Sequence, residues 1–534
     1  MKIKKLFVCL SLAFVFIFGF PLEAFADQYL TSDHITLTNN RVNNRIGDMG
    51  FFGGISEGVR LPLTTEQMIA ESDARGQRAR RDTRTMRYSE MVFLTGEPVQ
   101  FNGNIEVVRG GGVDTSERVG QFDVTHRVRP VMADDDVLIT RDITFQVNYR
   151  LDGSQVIFTY QARRSSWSET IQVGGALFTL EPSLSHFGVS IIQDMTPGVS
   201  YYRGDISGRL VFAGPDGMIT QDVQGSFHGY RSPWSATETH RLDKVITAPN
   251  WGMHYQVRPS ITMNKVLQFV ENEPFAISFE GNFREVMQTN VGLRYDLFVV
   301  PNFSWHLPNY GTVSMEIPNA FEQLPAHDLT FLRGNPAEDD IRRLFSTQIL
   351  TGDPRFFQPS HAITRGQFVA AVARAIRLPI EPAVQPRAAR GRVQPDISVF
   401  HDVPRTRPEY PYIMAAYRAR LAVGRANSMF YFDYPIDRQE AFMILVRALG
   451  LTQMGLNPTP VTPFMDDSLI APWARREVTV AHMIGLAVPD EFGFFHPTRQ
   501  LSMGEAASIL NELVEYMRVV LVSDYADQIV NIAR

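Results

Sequence analysis

The chain has 534 residues, of which 44% are hydrophobic and 20% charged, a composition typical of folded globular domains rather than of a disordered chain. The formal net charge of −6 argues against a protein that binds nucleic acid through bulk positive charge. The single cysteine, Cys9, excludes a fold stabilised by intramolecular disulfides, and it excludes thiolate chemistry in the rest of the chain.

The N-terminus has the pattern of a secretory signal. Lysines at three of the first five positions precede an almost wholly apolar run, Phe7–Phe20, and the small-residue site Ala24–Ala26 follows. We predict a signal peptide over residues 1–26, cleaved before Asp27. The apolar run is shorter than the ~20 residues that a membrane-spanning helix needs. No later segment is long and apolar enough, so we predict no transmembrane span in the mature chain.

Residues 27–325 show mostly the period-two pattern of β-strands. Apolar and polar residues alternate over Ile143–Tyr149 and Val156–Tyr160, on either side of an Asp152-Gly153 turn, which predicts a β-hairpin. Similar runs occur at Leu210–Phe212, Phe275–Phe279 and Leu293–Val300, with turn signals such as Gly214–Gly217 between them. We therefore expect an all-β region, an antiparallel sandwich or a barrel-like sheet, in one or two subdomains.

One arginine-rich stretch departs from this pattern. Thr64–Arg87 carries six arginines and predicts a polar helix or a flexible arm. A solvated helical face is one interpretation, and contact with an anionic glycan or lipid surface is the other.

After residue 330 the apolar period becomes helical, and three helix starts align. They are Thr364–Gln367, Asp437–Glu440 and Ser502–Glu505, each with a capping side chain first and Glu or Gln three positions later. This is the capping box or its aspartate variant, in which the first side chain accepts an N–H group of the first helical turn.

A second amphipathic helix precedes each capped helix, with apolar residues at i, i+3, i+4 and i+8 except for His482 in the third unit. Two of these helices are followed by Gly352 and Gly424, which predict left-handed helix ends. Each unit is therefore helix, turn, loop and capped helix. A helix pair this small cannot bury its apolar stripe alone, so we expect the three units to share one core.

The capping boxes resemble those of a known family. Residues 363–367 read Ile-Thr-Arg-Gly-Gln, residues 436–440 read Ile-Asp-Arg-Gln-Glu, and residues 400–404 read Phe-His-Asp-Val-Pro. This pattern, with Trp473-Ala474, resembles the S-layer homology domain and covers about residues 325–520. The resemblance implies an all-α bundle of three repeats, at 326–380, 399–452 and 463–520, that holds an exported protein on the bacterial cell wall or surface layer.

Members of this family bind an anionic, often pyruvylated, secondary cell-wall polysaccharide, and the resemblance implies the same partner here. The two box arginines begin helices, where the positive dipole end and free N–H groups favour an anion and the guanidinium fork binds carboxylates. Glycines would let the backbone approach the ligand, and aromatic rings would pack on sugar faces. The alternatives are solvated or internally paired arginines and an Asp402 that only braces the chain. The predicted glycan-binding residues are Arg365, Arg438, Gly352, Gly424, Thr364, Asp402, Tyr412 and Trp473.

The third unit departs from the pattern, because Met503 replaces the arginine and Pro489 replaces the glycine. A methionine cannot donate to a carboxylate, so we expect this unit to be structural and not to bind, or to bind poorly.

Residues 27–325 contain no recognised catalytic, phosphate-binding or metal-binding motif, so we predict no cofactor and no metal. A structural, surface-layer or display role is the favoured function of this region, with other surface-layer subunits as candidate partners. The alternative is a wall-anchored polysaccharide hydrolase, since its carboxylate pair needs no local motif. A cleft holding two carboxylates ~5–9 Å apart would favour that alternative.

Overall fold

The computed structural model describes residues 50–57, 82–113, 117–131, 136–194, 196–270, 282–299, 310–380, 399–424, 428–456 and 461–525. The predicted signal peptide, the predicted strand at Phe275–Phe279 and most of the arginine-rich stretch lie outside these residues. The described residues all belong to one compact unit.

Strands occupy the first part of the described chain and form one antiparallel sheet. They are β1 (Ile55–Ser56), β2 (Asp82–Val92), β3 (Val99–Arg109), β4 (Val119–Pro130), β5 (Val137–Asp152), β6 (Gln155–Val173), β7 (Ala176–Leu180), β8 (His186–Asp194), β9 (Ser200–Gly214), β10 (Gly217–Arg231), β11 (Ser235–Thr247), β12 (Gly252–Val270), β13 (Asn282–Val299), β14 (Tyr310–Met315) and β15 (Ala320–Gln323). Neighbours in the sheet follow chain order, except that β7 and β8 both pair with β6 and β9, and β14 and β15 both pair with β13.

The sheet rolls up around its own apolar face. Burial alternates along most strands, as the period-two pattern predicts. Phe93, which follows β2, has its ring centroid 4.0 Å from that of Tyr255 on β12 and 5.5 Å from that of Tyr295 on β13. Strands at opposite ends of the sheet therefore meet across one shared core. Of the two predicted architectures, the barrel-like sheet describes this arrangement better than the sandwich.

Two local predictions from the sequence are confirmed in this sheet. Asp152 pairs with Gln155, so β5 and β6 form the predicted hairpin around Gly153. Likewise, Gly214 pairs with Gly217 across the predicted turn between β9 and β10.

The helix or arm predicted over Thr64–Arg87 is wrong for its last residues. Arg84 and Arg87 lie in β2, where Met86 and Tyr88 are buried and Thr85 and Arg87 are exposed. The apolar side chains recur every second residue there, and pairing with β3 favours a strand. Arg87 donates to the backbone oxygen of Glu316, just after β14, so the two ends of the rolled sheet lie close together.

Helices form the second part of the described chain, in three pairs. Repeat 1 contains α1 (Glu338–Ser346) and α2 (Arg365–Ala375), repeat 2 contains α3 (Tyr410–Arg418) and α4 (Arg438–Leu449), and repeat 3 contains α5 (Pro472–Met483) and α6 (Met503–Glu515). A π-helical turn (Tyr516–Val520) and a short α7 (Leu521–Asp524) extend α6, and single 3-10 turns lie at Thr330–Leu332, Pro354–Phe356, Thr452–Met454 and Asp467–Leu469.

The three helix pairs bury one common core, as the repeat pattern predicted. Ile341, Ile413 and Val478, from the first helix of each pair, are fully buried in it. The same core also includes Tyr201 and Trp234 from the sheet. The rolled sheet and the helical bundle therefore share apolar packing rather than being joined only through the chain.

Candidate functional site

The three capped helices meet at their N-termini in a closed ring of backbone hydrogen bonds. Ile363 N donates to Leu501 O (3.0 Å), Leu501 N to Ile436 O (3.2 Å), and Ile436 N to Ile363 O (3.2 Å). These residues precede the capping boxes by one position, and all three are buried. The ring holds the three boxes around an approximate three-fold axis.

The capping side chains act as the sequence predicted. Thr364 Oγ1 and Ser502 Oγ each accept the N–H of the residue three positions on, and that residue's side chain accepts the cap's own N–H. In repeat 2, Asp437 Oδ1 accepts from the N–H of Glu440 at 2.9 Å. Thr364 is therefore a helix cap.

The first N–H groups of these helices are not free for an anion, which corrects the expectation from the sequence. A loop of the neighbouring repeat covers each helix start. Arg365 N donates to Tyr434 O (2.7 Å), Arg438 N to Arg499 O (2.9 Å), and Met503 N to His361 O (2.7 Å). The next N–H of each helix is bonded in the same way. Side chains rather than backbone groups must therefore supply any donors to a ligand here.

Arg365 lies inside the bundle, which corrects the prediction of an open guanidinium fork. Its side chain is 3% exposed, and its Nε lies 2.7 Å from Glu440 Oε1. The two terminal nitrogens donate to the backbone oxygens of Phe430 and Val423. Because an isolated buried charge is very unfavourable, the arginine and the glutamate stabilise each other across repeats 1 and 2.

Arg438, the corresponding arginine of repeat 2, has a different environment. It is half-buried, with its guanidinium carbon 5.0 Å from the ring centroid of Phe442 and 5.2 Å from that of Phe495. Its buried Nε has no hydrogen-bond partner, and no carboxylate pairs with it among the described residues. Burial, reinforced by repulsion from Arg499, lowers the pKa of Arg438 below its usual value.

Three carboxylates, those of Glu505, Glu512 and Asp466, favour the charged form of Arg438, but none of them is bonded to it among the described residues. Glu505 stands where Glu440 stands in the neighbouring interface, but Arg499 lies 2.5 Å from its Oε1. Asp466 accepts the backbone N–H groups of Phe495 and His496, at 2.9 and 2.7 Å. Arg438 is therefore a partly desolvated cation without a bonded counter-ion, which an anionic group can stabilise.

Asp402 is a loop brace. Its two oxygens accept the N–H groups of Phe430 and Phe432, at 2.7 and 2.9 Å. Burial raises the pKa of Asp402, but these hydrogen bonds outweigh it and hold the pKa below its usual value. Asp466 accepts the corresponding N–H groups in repeat 3. In both repeats the motif aspartate therefore holds the loop that covers the start of the capped helix of the preceding repeat.

The two predicted glycines do not form the left-handed helix ends. The left-handed residues after the first helices are Gln348 (φ 59°), Arg420 (φ 57°) and Gly485 (φ 77°). Gly352 also has positive φ, but it lies further along the loop. A Cβ on Gly424 would come within 2.6 Å of the Phe400 ring, so that glycine is required for packing.

The two predicted aromatic contacts differ in exposure. Trp473 is 50% exposed and is free to stack on a sugar ring. Tyr412 is half-buried, and the guanidinium carbon of Arg374 lies 4.2 Å from its ring centroid. That cation occupies one face of the tyrosine ring.

Sequence reasoning missed the residues that make the two arginines different. The sequence pattern assigns Glu440 only to a capping box and gives Arg499 no role. The available signal is the last residue of each box, which is glutamate in repeats 2 and 3 but glutamine in repeat 1.

The rolled sheet holds a separate cluster of buried charges. Arg141 donates to Glu90 at 2.9 Å and to Glu169 at 2.6 Å. Lys244 completes the cluster, and burial lowers its pKa to about 8. The cavity lined by these side chains has room for little more than a single water, so a sugar ring cannot reach the two carboxylates.

No group of three or more metal-ligating side chains occurs in the part of the chain that the structure describes. Within that same part, none of the helices is long and apolar enough to cross a membrane.

Three helix pairs that join their capped N-termini, with a box arginine in two of them, define an anchoring bundle of the S-layer homology type. The S-layer homology domain family matches residues 333–369 and 399–442, in repeats 1 and 2. The chain is thus a cell-surface protein that carries S-layer homology repeats.

Several curated proteins resemble about a third of the chain. An endoglucanase of Bacillus sp. (strain KSM-635) is 26% identical over 33% of the chain, and an amylopullulanase of Thermoanaerobacterium thermosulfurigenes is 29% identical over 38%. An S-layer protein of Bacillus thuringiensis subsp. finitimus is 25% identical over 32%. The chain spans only 17%, 10% and 19% of the lengths of these relatives, respectively.

Proposed function

We propose that the chain is held on the cell wall by an anionic secondary wall polysaccharide that binds beside Arg438, between repeats 2 and 3. A carboxylate on a sugar, such as a pyruvyl group, would supply the missing counter-ion. The guanidinium fork can bind such a group through two parallel hydrogen bonds.

The single observation that carries this proposal is the contrast between the two box arginines. Arg365 is 3% exposed and bonded to Glu440, whereas Arg438 has a buried Nε without a partner. A half-buried cation without a bonded counter-ion is unfavourable, and a carboxylate bound to the accessible part of the guanidinium would offset that cost. The methionine of repeat 3 offers no charge, so repeat 2 is the strongest candidate for binding.

We propose a structural or display role for the rolled sheet. The hydrolase names among the relatives accompany matches to about a third of this chain, a length close to that of the repeats. The buried pair Glu90 and Glu169 shares Arg141 in a cavity too small for a sugar. This pair therefore gives the hydrolase alternative no support.

Co-sedimentation of the whole exported chain with purified cell walls tests the proposal. We expect the chain to pellet with native walls and to stay in the supernatant once the anionic polymer has been extracted. Walls from which only neutral polysaccharide has been removed are the control. Equal pelleting on extracted and native walls would contradict a role for the anionic polymer.

A further inference from the structure

The capped helices of the three repeats all run in the same sense, from the ring of N-termini toward the sheet. At the far end, side chains of the sheet bond to their last carbonyl groups. Trp234 Nε1 donates to Ala375 O of α2 at 2.8 Å, and Tyr201 OH donates to Leu449 O of α4 at 3.1 Å. Ser235 Oγ donates at 2.5 Å to Met517 O, in the turn that extends α6.

These contacts give the bundle two unlike ends. The carbonyl end is covered by the sheet, which satisfies acceptors that a helix leaves open at its C-terminus. The opposite end carries the capping boxes, the covering loops and Arg438. With 11 to 13 residues each, the helices separate the two ends by about 16–20 Å at 1.5 Å per residue.

The junction between sheet and bundle is also fixed by buried charges. Glu285 on β13 lies 2.7 Å from Lys265 Nζ on β12 and 3.0 Å from Arg377 Nη2, just after α2. The guanidinium carbon of Arg377 is 4.8 Å from the ring centroid of Trp234. Rotation of the sheet on the bundle would separate these buried charges, which is strongly unfavourable.

We infer that the chain binds the wall end-on, with the ring of helix N-termini toward the polymer and the rolled sheet held outward at a fixed angle. This orientation rests on the proposed function. Strand β9 begins beside the junction at Ser200 and ends at Gly214, and its 15 residues span about 50 Å. Among the described residues, the hairpin turn at Asp216 therefore lies at the end of the sheet far from the bundle.

Single engineered cysteines can test this orientation, because Cys9 is the only natural cysteine. In a Cys9→Ser background, Thr498→Cys places a thiol in the exposed loop beside Arg438, and Asp216→Cys places one in the outer turn. We expect wall binding to slow the reaction of Thr498→Cys with a bulky maleimide at least tenfold and to leave that of Asp216→Cys unchanged. Gln500→Cys, in the same exposed loop, is a second reporter with the same expected protection.

The outcomes separate the two proposals. Pelleting with walls together with protection of Asp216→Cys and free reaction of the loop thiols would overturn the orientation but leave wall attachment standing. Equal reactivity at both ends in pelleted protein would also overturn it. If neither the variants nor the unmodified chain pelleted with walls, that result would contradict both the proposed function and this orientation.

Discussion

At the scale of single residues, the two box arginines show how one motif position takes different roles. Both follow a capping residue, but Glu440 reaches Arg365 whereas Arg499 occupies Glu505. The motif alone could not distinguish them, because the deciding side chains come from a neighbouring repeat. The sequence located both arginines and their capping residues correctly, but it could not show which of the two guanidinium groups forms an internal ion pair.

The ion pair of Arg365 gives a prediction about stability. Arg365→Ala would remove the arginine that neutralises the buried Glu440 carboxylate, and breaking a buried ion pair typically costs about 3–5 kcal/mol. We expect a lower midpoint of unfolding in urea for this variant. Arg365→Ala with Glu440→Gln should recover part of the loss, and an unchanged midpoint for the single variant would show that the pair does not stabilise the fold.

At the scale of the elements, α2 and α6 provide a matched pair of glycines at the second helical position. A Cβ on Gly366 would lie 2.1 Å from the ring of Phe432, whereas one on Gly504 would lie 3.3 Å from Pro359. The close approach in α2 arises because the loop of repeat 2 covers the start of that helix. The equivalent contact in α6 leaves more space.

We therefore expect alanine to destabilise the protein at the first position but not at the second. Gly366→Ala should destabilise by about 1–3 kcal/mol, as overpacking does, whereas Gly504→Ala should be neutral or stabilise by up to about 1 kcal/mol through helix propensity. Thermal unfolding of both variants checks this. Similar changes in the two melting temperatures would contradict the described packing of the loop of repeat 2.

The elements were largely predictable where local patterns determine them. The hairpin at Gly153 and all three capped helices follow from residue periodicity and capping side chains. The strand at Arg84 and Arg87 did not follow, because six arginines suggested a solvated helix while β3 supplies the pairing that makes it a strand. The left-handed helix ends at Gln348 and Arg420 did not follow either, because neither position carries a glycine.

At the scale of the whole molecule, the sheet and the bundle behave as parts of one core. The sequence indicated a change from strand to helix periodicity near residue 330, but it did not indicate that Trp234 and Tyr201 pack against the helices. Such contacts join residues over a hundred positions apart, and no local pattern encodes them. The isolated repeats would expose this apolar surface, so wall binding is best measured on the whole chain.

The buried lysine at the junction predicts how stability depends on pH. Burial, together with repulsion from Arg377, lowers the pKa of Lys265 to about 7, against a usual 10.5, although Glu285 opposes the shift. Between these values the unfolded chain holds a proton that the folded chain has released, so stability should rise with pH by up to about 1.4 kcal/mol per pH unit. Denaturant unfolding at pH 7, 8 and 9 measures this slope.

Lys265→Met should reduce the slope of unfolding free energy against pH. The substitution removes the titrating amine, and the unbranched methionine side chain fills a similar space. Lys244, whose pKa is lowered to about 8 by burial, titrates in the same range and should preserve part of the slope. An identical slope in the variant and the unmodified chain would mean that Lys265 does not release its proton in this range.

The most direct test of wall attachment through Arg438 is calorimetric titration of the whole chain with the purified anionic wall polymer. We expect Arg438→Gln to weaken the affinity at least tenfold with little change in the unfolding midpoint, because the side chain packs on two rings but has no hydrogen bond or ion pair to lose. Met503→Gln, at the same position of repeat 3, is the matched control and should bind like the unmodified chain. Undiminished affinity of Arg438→Gln would contradict the account.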